Sequence, residues 1–239
     1  MNNTGAERKE ALARARRAAG EAAAARVEAG MLVGLGTGDT AAHAIRALAA
    51  RGLRGLRCVA TSLRTAELAG SLGLSLIDLD ALPGEARLDL TIDGADEIDP
   101  ELQLIKGGGG ALLREKLVAR ASRTMIVIAD ASKQVPRLGT RWALPVELVP
   151  FAVPQTLERL RAACVTTPRL RQQADGAPAR SDGGNAIADV PLPLDLPVAE
   201  LHRRLKLLPG VIETGLFLCE ATLALIGQED GSVTTLARV

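Results

Sequence analysis

The chain has no tyrosine, one tryptophan and two phenylalanines among its 239 residues. With only Trp142, Phe151 and Phe217, it lacks the stacking platforms on which unpaired bases lie. An excess of charge is missing too: 29 Lys and Arg against 28 Asp and Glu leave a formal +1. No global field therefore draws in nucleic acid or an anionic membrane, and neither is an expected partner. No uninterrupted apolar run reaches the roughly 18 residues of a spanning helix. Cys58, Cys164 and Cys219 are far apart and form no CxxC pair, which excludes a thiolate zinc motif or a dithiol redox site. They read as free thiols of a reducing compartment. The N-terminal stretch lacks the apolar core of a signal peptide, and Glu7 and Glu10 argue against an Arg-rich presequence. The expected location is cytoplasmic.

What is present is concentrated in one place. Hydrophobic residues at 47% and charged residues at 24% describe a globular chain able to bury one large core or two unequal ones. Residues 89–116 read DLTIDGADEIDPELQLIKGGGGALLREK. Residues 88–92 alternate apolar with other residues and end on Asp93-Gly94, the pattern of a strand giving way to a turn. Carboxylates thus stand at a strand's carboxyl end, where open α/β sheets bind ligands. Gly107 to Gly110 lead into a helix whose Leu113, Leu117 and Ala121 form the expected apolar stripe. Four glycines before a helix expose backbone N–H groups to an oxygen anion, and a helix N-terminus favours negative charge by about 0.3–1 kcal/mol. Glu115, on the side of Leu112, is expected to be partly desolvated, which suits a carboxylate to act as a base. Singly, these features read as an Asp-Gly turn, first-turn electrostatics and a flexible loop. Packed into one segment, they point to a site.

Around this segment the chain alternates. An Ala-rich helix, opened by a capping box of Thr4 and Glu7, runs to about residue 29 with Arg8, Lys9, Arg14, Arg16 and Arg17 along a solvated face. Residues 31–36 form a strand, and Gly36-Thr37-Gly38-Asp39-Thr40-Ala41 turns it into a helix that carries His43 on its face. This run fits a dinucleotide fingerprint, which requires an acidic residue at the end of the next strand. That strand, 56–60, ends in Thr61-Ser62 instead, and no lysine completes a P-loop. A single-phosphate site fits better, with backbone N–H groups and the hydroxyls of Thr37 and Thr40 as donors. Asp39 would repel a phosphate there, so it is expected to point away as a helix cap.

A helix at 62–72, a strand at 74–79 and the strand of the central segment follow. An almost wholly apolar strand at 124–129 ends in Asp130-Ala131-Ser132-Lys133, where Lys133 is a second phosphate candidate. Strand and helix alternate from 31 to 130, which predicts a parallel sheet covered on both faces. Beyond Leu138 a smaller module reads as strand 142–149, helix 153–163, polar loop 172–184, strand 186–190 and helix 198–207. Short strands at 215–217, 222–226 and 232–236 are expected to rejoin the first domain. The expected fold class is α/β, with a Rossmann-like parallel-sheet domain over 1–138 plus 216–239 and a smaller α/β domain over 139–215.

The segments GLGTGDTAAHAI, TSLRTAELA, TIDGADEID, KGGGGALLREK, ADASKQV and LPGVIETGLF resemble, in order and separation, the type A ribose-5-phosphate isomerases. DGADE followed by KGGGGALLREK is the specific part; GTGDT alone is weak. The resemblance implies a ferredoxin-like second domain, a sugar-phosphate substrate, no cofactor or metal, and a homodimer or homotetramer. It implies proton transfer between C2 and C1 of D-ribose 5-phosphate through a cis-enediol, giving D-ribulose 5-phosphate in the non-oxidative pentose phosphate branch. Glu115 would be the base. Lys106 and the backbone of Gly107, Gly108 and Gly109 would hold the enediolate oxygens. Asp93 and Asp96 would act on sugar hydroxyls and ring opening, with Gly94 and Ala95 in the same substrate-binding segment. Thr37, Gly38, Asp39 and Thr40 would form the substrate-contacting turn, and Lys133 and Arg16 would reach the phosphate. Asp39 stands where the family usually has serine, and Ala131 where its DESK motif has glutamate.

Three rivals are weighed against it. A metal site of Asp89, Asp93, Asp96, Glu97 and Asp99 lacks the EF-hand spacing. A sugar-phosphate sensor would need a DNA-binding domain and no base. An aminosugar-phosphate deaminase or coenzyme A transferase on the same fold would not need the full KGGGGALLREK pattern.

Overall fold

A computed structural model describes residues 3–84, 86–164, 166–193 and 196–238. The Thr4 side chain, expected to cap the first helix, lies outside what is described. Two compact units emerge: Met1–Ala95 with Arg114–Lys133 and Cys219–Val239, and Asp96–Leu113 with Gln134–Leu218.

In the first unit, strands numbered along the chain form a six-stranded sheet in the order β13-β12-β6-β3-β1-β2. They are β1 (Leu32–Leu35), β2 (Arg57–Ala60), β3 (Leu90–Gly94), β6 (Met125–Asp130), β12 (Leu223–Gly227) and β13 (Val233–Ala237). Five run parallel, and β13 closes one edge antiparallel to β12. Every residue of β6 is buried, as its unbroken apolar run requires of a central parallel strand. The chain leaves β1 for β2 on one side and β3 for β6 on the other, so the strand order reverses between β1 and β3. Ligands of open α/β sheets lie in the crevice that such a reversal opens at the carboxyl ends.

Helices α1 (Asn3–Ala24), α2 (Asp39–Ala50) and α3 (Leu63–Ser71) belong to this unit. The alanines of α1 have a packing purpose: Ala15, Ala19, Ala23 and Ala24 are buried, and small side chains allow close approach. A Cβ on Gly20 would lie 2.7 Å from the Ala44 nitrogen of α2. One on Gly227 of β12 would lie 1.9 Å from the Ala15 carbonyl oxygen. Between helices and sheet, Val33, Leu35, Ile45, Leu48, Ile92, Ile126, Ile128 and Leu225 share one core.

The second unit contains β7 (Leu144–Leu148), α5 (Val153–Cys164), β8 (Arg169–Leu170), β9 (Ala186–Val190), α6 (Val198–Lys206) and β10 (Val211–Thr214). Its antiparallel sheet has the order β10-β7-β9-β8, which with this helix placement is the β-α-β-β-α-β ferredoxin-like arrangement. Leu160 and Cys164 of α5 and Leu201 and Leu205 of α6 join Val146, Leu148 and Ala188 in its core. A second small sheet, in the order β11-β5-β4, is made by β4 (Glu97–Ile98), β5 (Leu104–Ile105) and β11 (Leu216–Phe217).

Three expectations need correction. Residues 74–79 are not a strand: one parallel bridge joins Leu76 to Cys58 at the sheet edge, and the chain then turns into a 3₁₀ turn at Leu79–Ala81. The strand at 216–217 does not return to the parallel sheet but pairs antiparallel with β5. In α4 (Leu112–Arg120), Leu117 is 52% exposed, so the Leu113–Leu117–Ala121 stripe is not the buried one. The buried row is Leu112, Glu115, Lys116 and Ala119, the i, i+3, i+4, i+7 set. Two ionisable groups on the inward row hid the true face from a hydrophobicity pattern.

Gly227→Ala should destabilise the protein by about 1–3 kcal/mol, because the added methyl meets helix backbone rather than a movable side chain. Urea unfolding should show a lower midpoint with an unchanged slope.

Candidate active site

At the carboxyl ends of β1 and β3, the Asp93 side chain has no solvent exposure. Its Oδ1 accepts the N–H groups of Thr37, at 3.1 Å, and Gly94, at 2.7 Å. A Cβ on Gly36 would lie 2.1 Å from that oxygen, so only glycine lets the two strand ends approach. The Thr37 hydroxyl meets those of Thr61 and Ser62 at 2.8 Å and Thr65 at 3.1 Å. Ser62 in turn caps α3 by accepting the Thr65 N–H at 3.1 Å. This hydroxyl cluster occupies the end of β2 where a dinucleotide fold places its acidic residue. Thr61, Ser62 and Thr65 were not among the expected site residues; the repeated Ser and Thr after β2 were the available signal.

Gly38, with φ of 118°, is the N-cap of α2, a conformation that favours glycine. Asp39 is therefore the first helical residue and not the cap. Its side chain does point away: it is 75% exposed and lies 3.7 Å from Arg64. The first N–H groups of α2, from Asp39 through Thr40 and Ala41, have no acceptor within the helix. His43 follows on α2; burial lowers its pKa, and Arg46, Arg17 and Arg16 lower it further, so it is neutral at pH 7.

Parallel strands put the ends of β6 and β3 on the same sheet edge. There Arg16 of α1 donates to Asp130 at 2.8 Å. Burial would raise the Asp130 pKa, but hydrogen bonds from Ser132 and Arg16, with the Arg16 charge, outweigh it and hold the carboxyl below its usual range. Lys133 is half-buried at the end of the 3₁₀ turn Ala131–Lys133. Glu115, 4% exposed, stands one turn before Val118, which shares a cluster with Val59 and Leu88. A Cβ on Gly34 would lie 2.7 Å from a Val118 methyl, which sets α4 directly over β1.

The second unit holds Asp96, Lys106 and the glycine run. Asp96 Oδ2 accepts the Gly108 N–H at 2.7 Å, and a Cβ on Gly108 would strike the same carboxylate at 2.7 Å. Gly107 and Gly110 have φ of 104° and 81°, and the Gly110 N–H closes a turn on the Gly107 carbonyl at 3.0 Å. Lys106 is 2% exposed, with its ammonium 5.4 Å from the centre of the Phe217 ring. Arg171 donates to the carbonyls of Gly107 and Gly108 at 2.8 and 3.1 Å. No sequence pattern linked Arg171 to this loop.

The other acidic residues have structural duties. Asp89 accepts the Leu32 N–H at 2.8 Å, and Asp99 accepts those of Glu101 and Gln103 at 3.0 and 2.8 Å. Buried Glu97 takes the N–H groups of Gly139, Arg141 and Trp142. Among the described residues, no group of three or more His, Cys, Asp or Glu side chains could hold a metal ion. The three cysteines are free, with Cys58 and Cys164 buried and Cys219 exposed. No described helix is long and apolar enough to cross a membrane.

A family model described as ribose 5-phosphate isomerase A (phosphoriboisomerase A) matches residues 57–231. The chain belongs to this family. Ribose-5-phosphate isomerase A of Caulobacter sp. strain K31 is 50% identical over 222 residues, covering 91% of this chain and 96% of its own. Among solved structures, ribose 5-phosphate isomerase from Plasmodium falciparum superposes with a TM-score of 0.88 at 34% identity, covering 95% of this chain and 99% of that one. A D-ribose-5-phosphate isomerase in complex with phospho-erythronic acid has a TM-score of 0.87 at 33% identity, covering 93% and 97%. The two-part α/β architecture is thus the isomerase fold.

The Asp130 pKa is lowered on folding, so the Arg16 pair contributes stability above the carboxyl's unfolded pKa and loses it as pH falls through the folded value. The stability gap between the parent and Arg16→Met should stay constant from about pH 5 to 8 and begin to close below about pH 4. Urea unfolding across that range measures it. A gap unchanged at the lowest pH would mean that Arg16 acts by packing.

Proposed function

We infer that the chain interconverts D-ribose 5-phosphate and D-ribulose 5-phosphate, in the non-oxidative pentose phosphate pathway. The observation that carries this is family membership over most of the chain, with relatives of matching length at about half identity. The relative that holds phospho-erythronic acid supports a sugar phosphate as the small-molecule substrate. That ligand is a four-carbon acid whose planar carboxylate resembles an enediolate.

The isomerisation needs a base that lifts the proton from C2 and returns it to C1, and positive or N–H groups that stabilise the oxyanion formed between. Glu115 takes the first role in this proposal, supported by its burial at 4% exposure on the inward row of α4, beside Lys116 and between Leu112 and Ala119. Lys106 and the amides of Gly107 and Gly109 take the second, while the Gly108 amide, bonded to Asp96 at 2.7 Å, ties the loop to that carboxylate. Lys106 is buried, and the glycines have no side chain to screen their backbone. Asp93 and Asp96 handle sugar hydroxyls and ring opening; the segment between them contributes Gly94 and Ala95. The phosphate is assigned to the turn Thr37-Gly38-Asp39-Thr40 through its backbone N–H groups and the Thr40 hydroxyl, the Thr37 hydroxyl being given to Ser62, with Lys133 and Arg16 as cations. A cytoplasmic location and assembly into a homodimer or homotetramer belong to the same proposal, supported by the family resemblance.

A coupled assay on ribose 5-phosphate tests the reading. Glu115→Gln should lower kcat by about 10²–10⁴, the worth of a positioned base. Activity untouched by that substitution would assign the base elsewhere. Because the Asp39 side chain faces solvent, Asp39→Ser should leave KM within about threefold, less than the effect of removing one charged contact. A large fall in KM would instead place that carboxylate against the phosphate.

A further inference from the structure

The glycine run has two sides, and the proposed chemistry uses only one. In a trans peptide the carbonyl and the following N–H point in opposite directions, so fixing one aims the other. The Gly107 carbonyl accepts from Arg171 and from the Gly110 N–H, and the Gly108 carbonyl accepts from the same arginine nitrogen. These contacts aim the N–H groups of Gly108 and Gly109 away from the guanidinium. The direction is visible at Gly108, whose N–H meets Asp96.

Arg171 is itself held. Its Nε donates to Asp189 Oδ2 at 3.0 Å, and its Nη2 donates to Oδ1, a two-bond fork. Asp189 lies on β9, where it is in register with Pro145 of β7 and Arg169 of β8. The Arg171 backbone N–H also bonds to the Ile187 carbonyl of β9 at 2.8 Å. The side chain is only 18% exposed. A rigid sheet thus reaches the backs of two peptide planes that have no side chains of their own to hold them.

We propose that Arg171, braced by Asp189, is a positioning residue of the isomerase reaction: it locks the peptide planes 107–108 and 108–109, which keeps the Gly108 amide on Asp96 and turns the Gly109 amide toward the developing enediolate. The proposal rests on the isomerase reading above and on the Gly109 amide serving as an oxyanion donor. Lysine is a poor substitute, because a point charge cannot fork onto Asp189 and reach both carbonyls at once. The effect should fall on the transition state and not on ground-state binding, since preorganised donors matter most where charge develops.

Arg171→Lys, Arg171→Gln and Asp189→Asn, made in the full chain, test this by steady-state kinetics on ribose 5-phosphate alongside thermal unfolding. Both Arg171 variants should lose about 10- to 100-fold in kcat with KM within about twofold, and Asp189→Asn should lose less in the same direction. Arg171→Lys combined with Asp189→Asn should be no worse than Arg171→Lys alone. A kcat within about threefold of the parent in folded Arg171→Lys, or a rise in KM with kcat unchanged, overturns the proposal. If Arg171→Gln does not fold, Arg171→Lys and Asp189→Asn decide. Glu115→Gln is assayed in parallel: if it is inactive while the Arg171 variants are normal, the isomerase reading stands and only the role of Arg171 falls.

Discussion

A fully buried carboxylate organises the first unit. Asp93 accepts main-chain N–H groups from the ends of two neighbouring strands, and Gly36 gives up a side chain to let it do so. Burying a charge without such bonds costs several kcal/mol, so the loops after β1 and β3 are held in one geometry by a penalty on any other. The consequences spread outward. Fixing the Thr37 backbone fixes its hydroxyl, which is tied to Thr61, Ser62 and Thr65 and through Ser62 to the start of α3. The turn that opens α2 is therefore held by bonds within the protein, from the Asp93 carboxylate on one side and the Ser62 hydroxyl on the other.

The second unit solves a related problem by different means. Its backbone turns sharply where side chains would be in the way, and charged groups elsewhere hold those turns. Glu97 gathers three N–H groups from residues 139–142, Asp96 takes one from the glycine run, and Arg171 takes two carbonyls from the same run. Acidic residues that look in sequence like a metal cluster are, for the most part, acceptors for main-chain donors. That is the ordinary fate of buried polar groups, which must find partners once water is removed.

Much of this was legible in the sequence. The apolar run of β6 and the glycine turn after β1 announced the parallel sheet, and DGADE with KGGGGALLREK announced the family. Where reading failed, the causes are identifiable. The row of α4 that points inward carries Glu115 and Lys116, so hydrophobic periodicity chose the wrong face. Leu74 to Leu79 has strand composition but only a single bridge at a sheet edge, a matter of tertiary neighbours and not of local preference. Asp39 was expected to cap α2 because aspartate often does; the φ of Gly38 shows that the helix starts one residue earlier. Arg171 could not be read at all, since its partners at Gly107 and Gly108 are 64 and 63 positions away in the chain.

The scarcity of aromatic residues has a practical sequel. Trp142 is the sole indole, no phenol accompanies it, and it belongs to the second unit. Its main-chain N–H is pinned by buried Glu97, while the residue as a whole is 42% exposed. Excited in the near ultraviolet, the chain emits from this one fluorophore, whose colour and quenching report on the ferredoxin-like half and leave the parallel sheet optically silent.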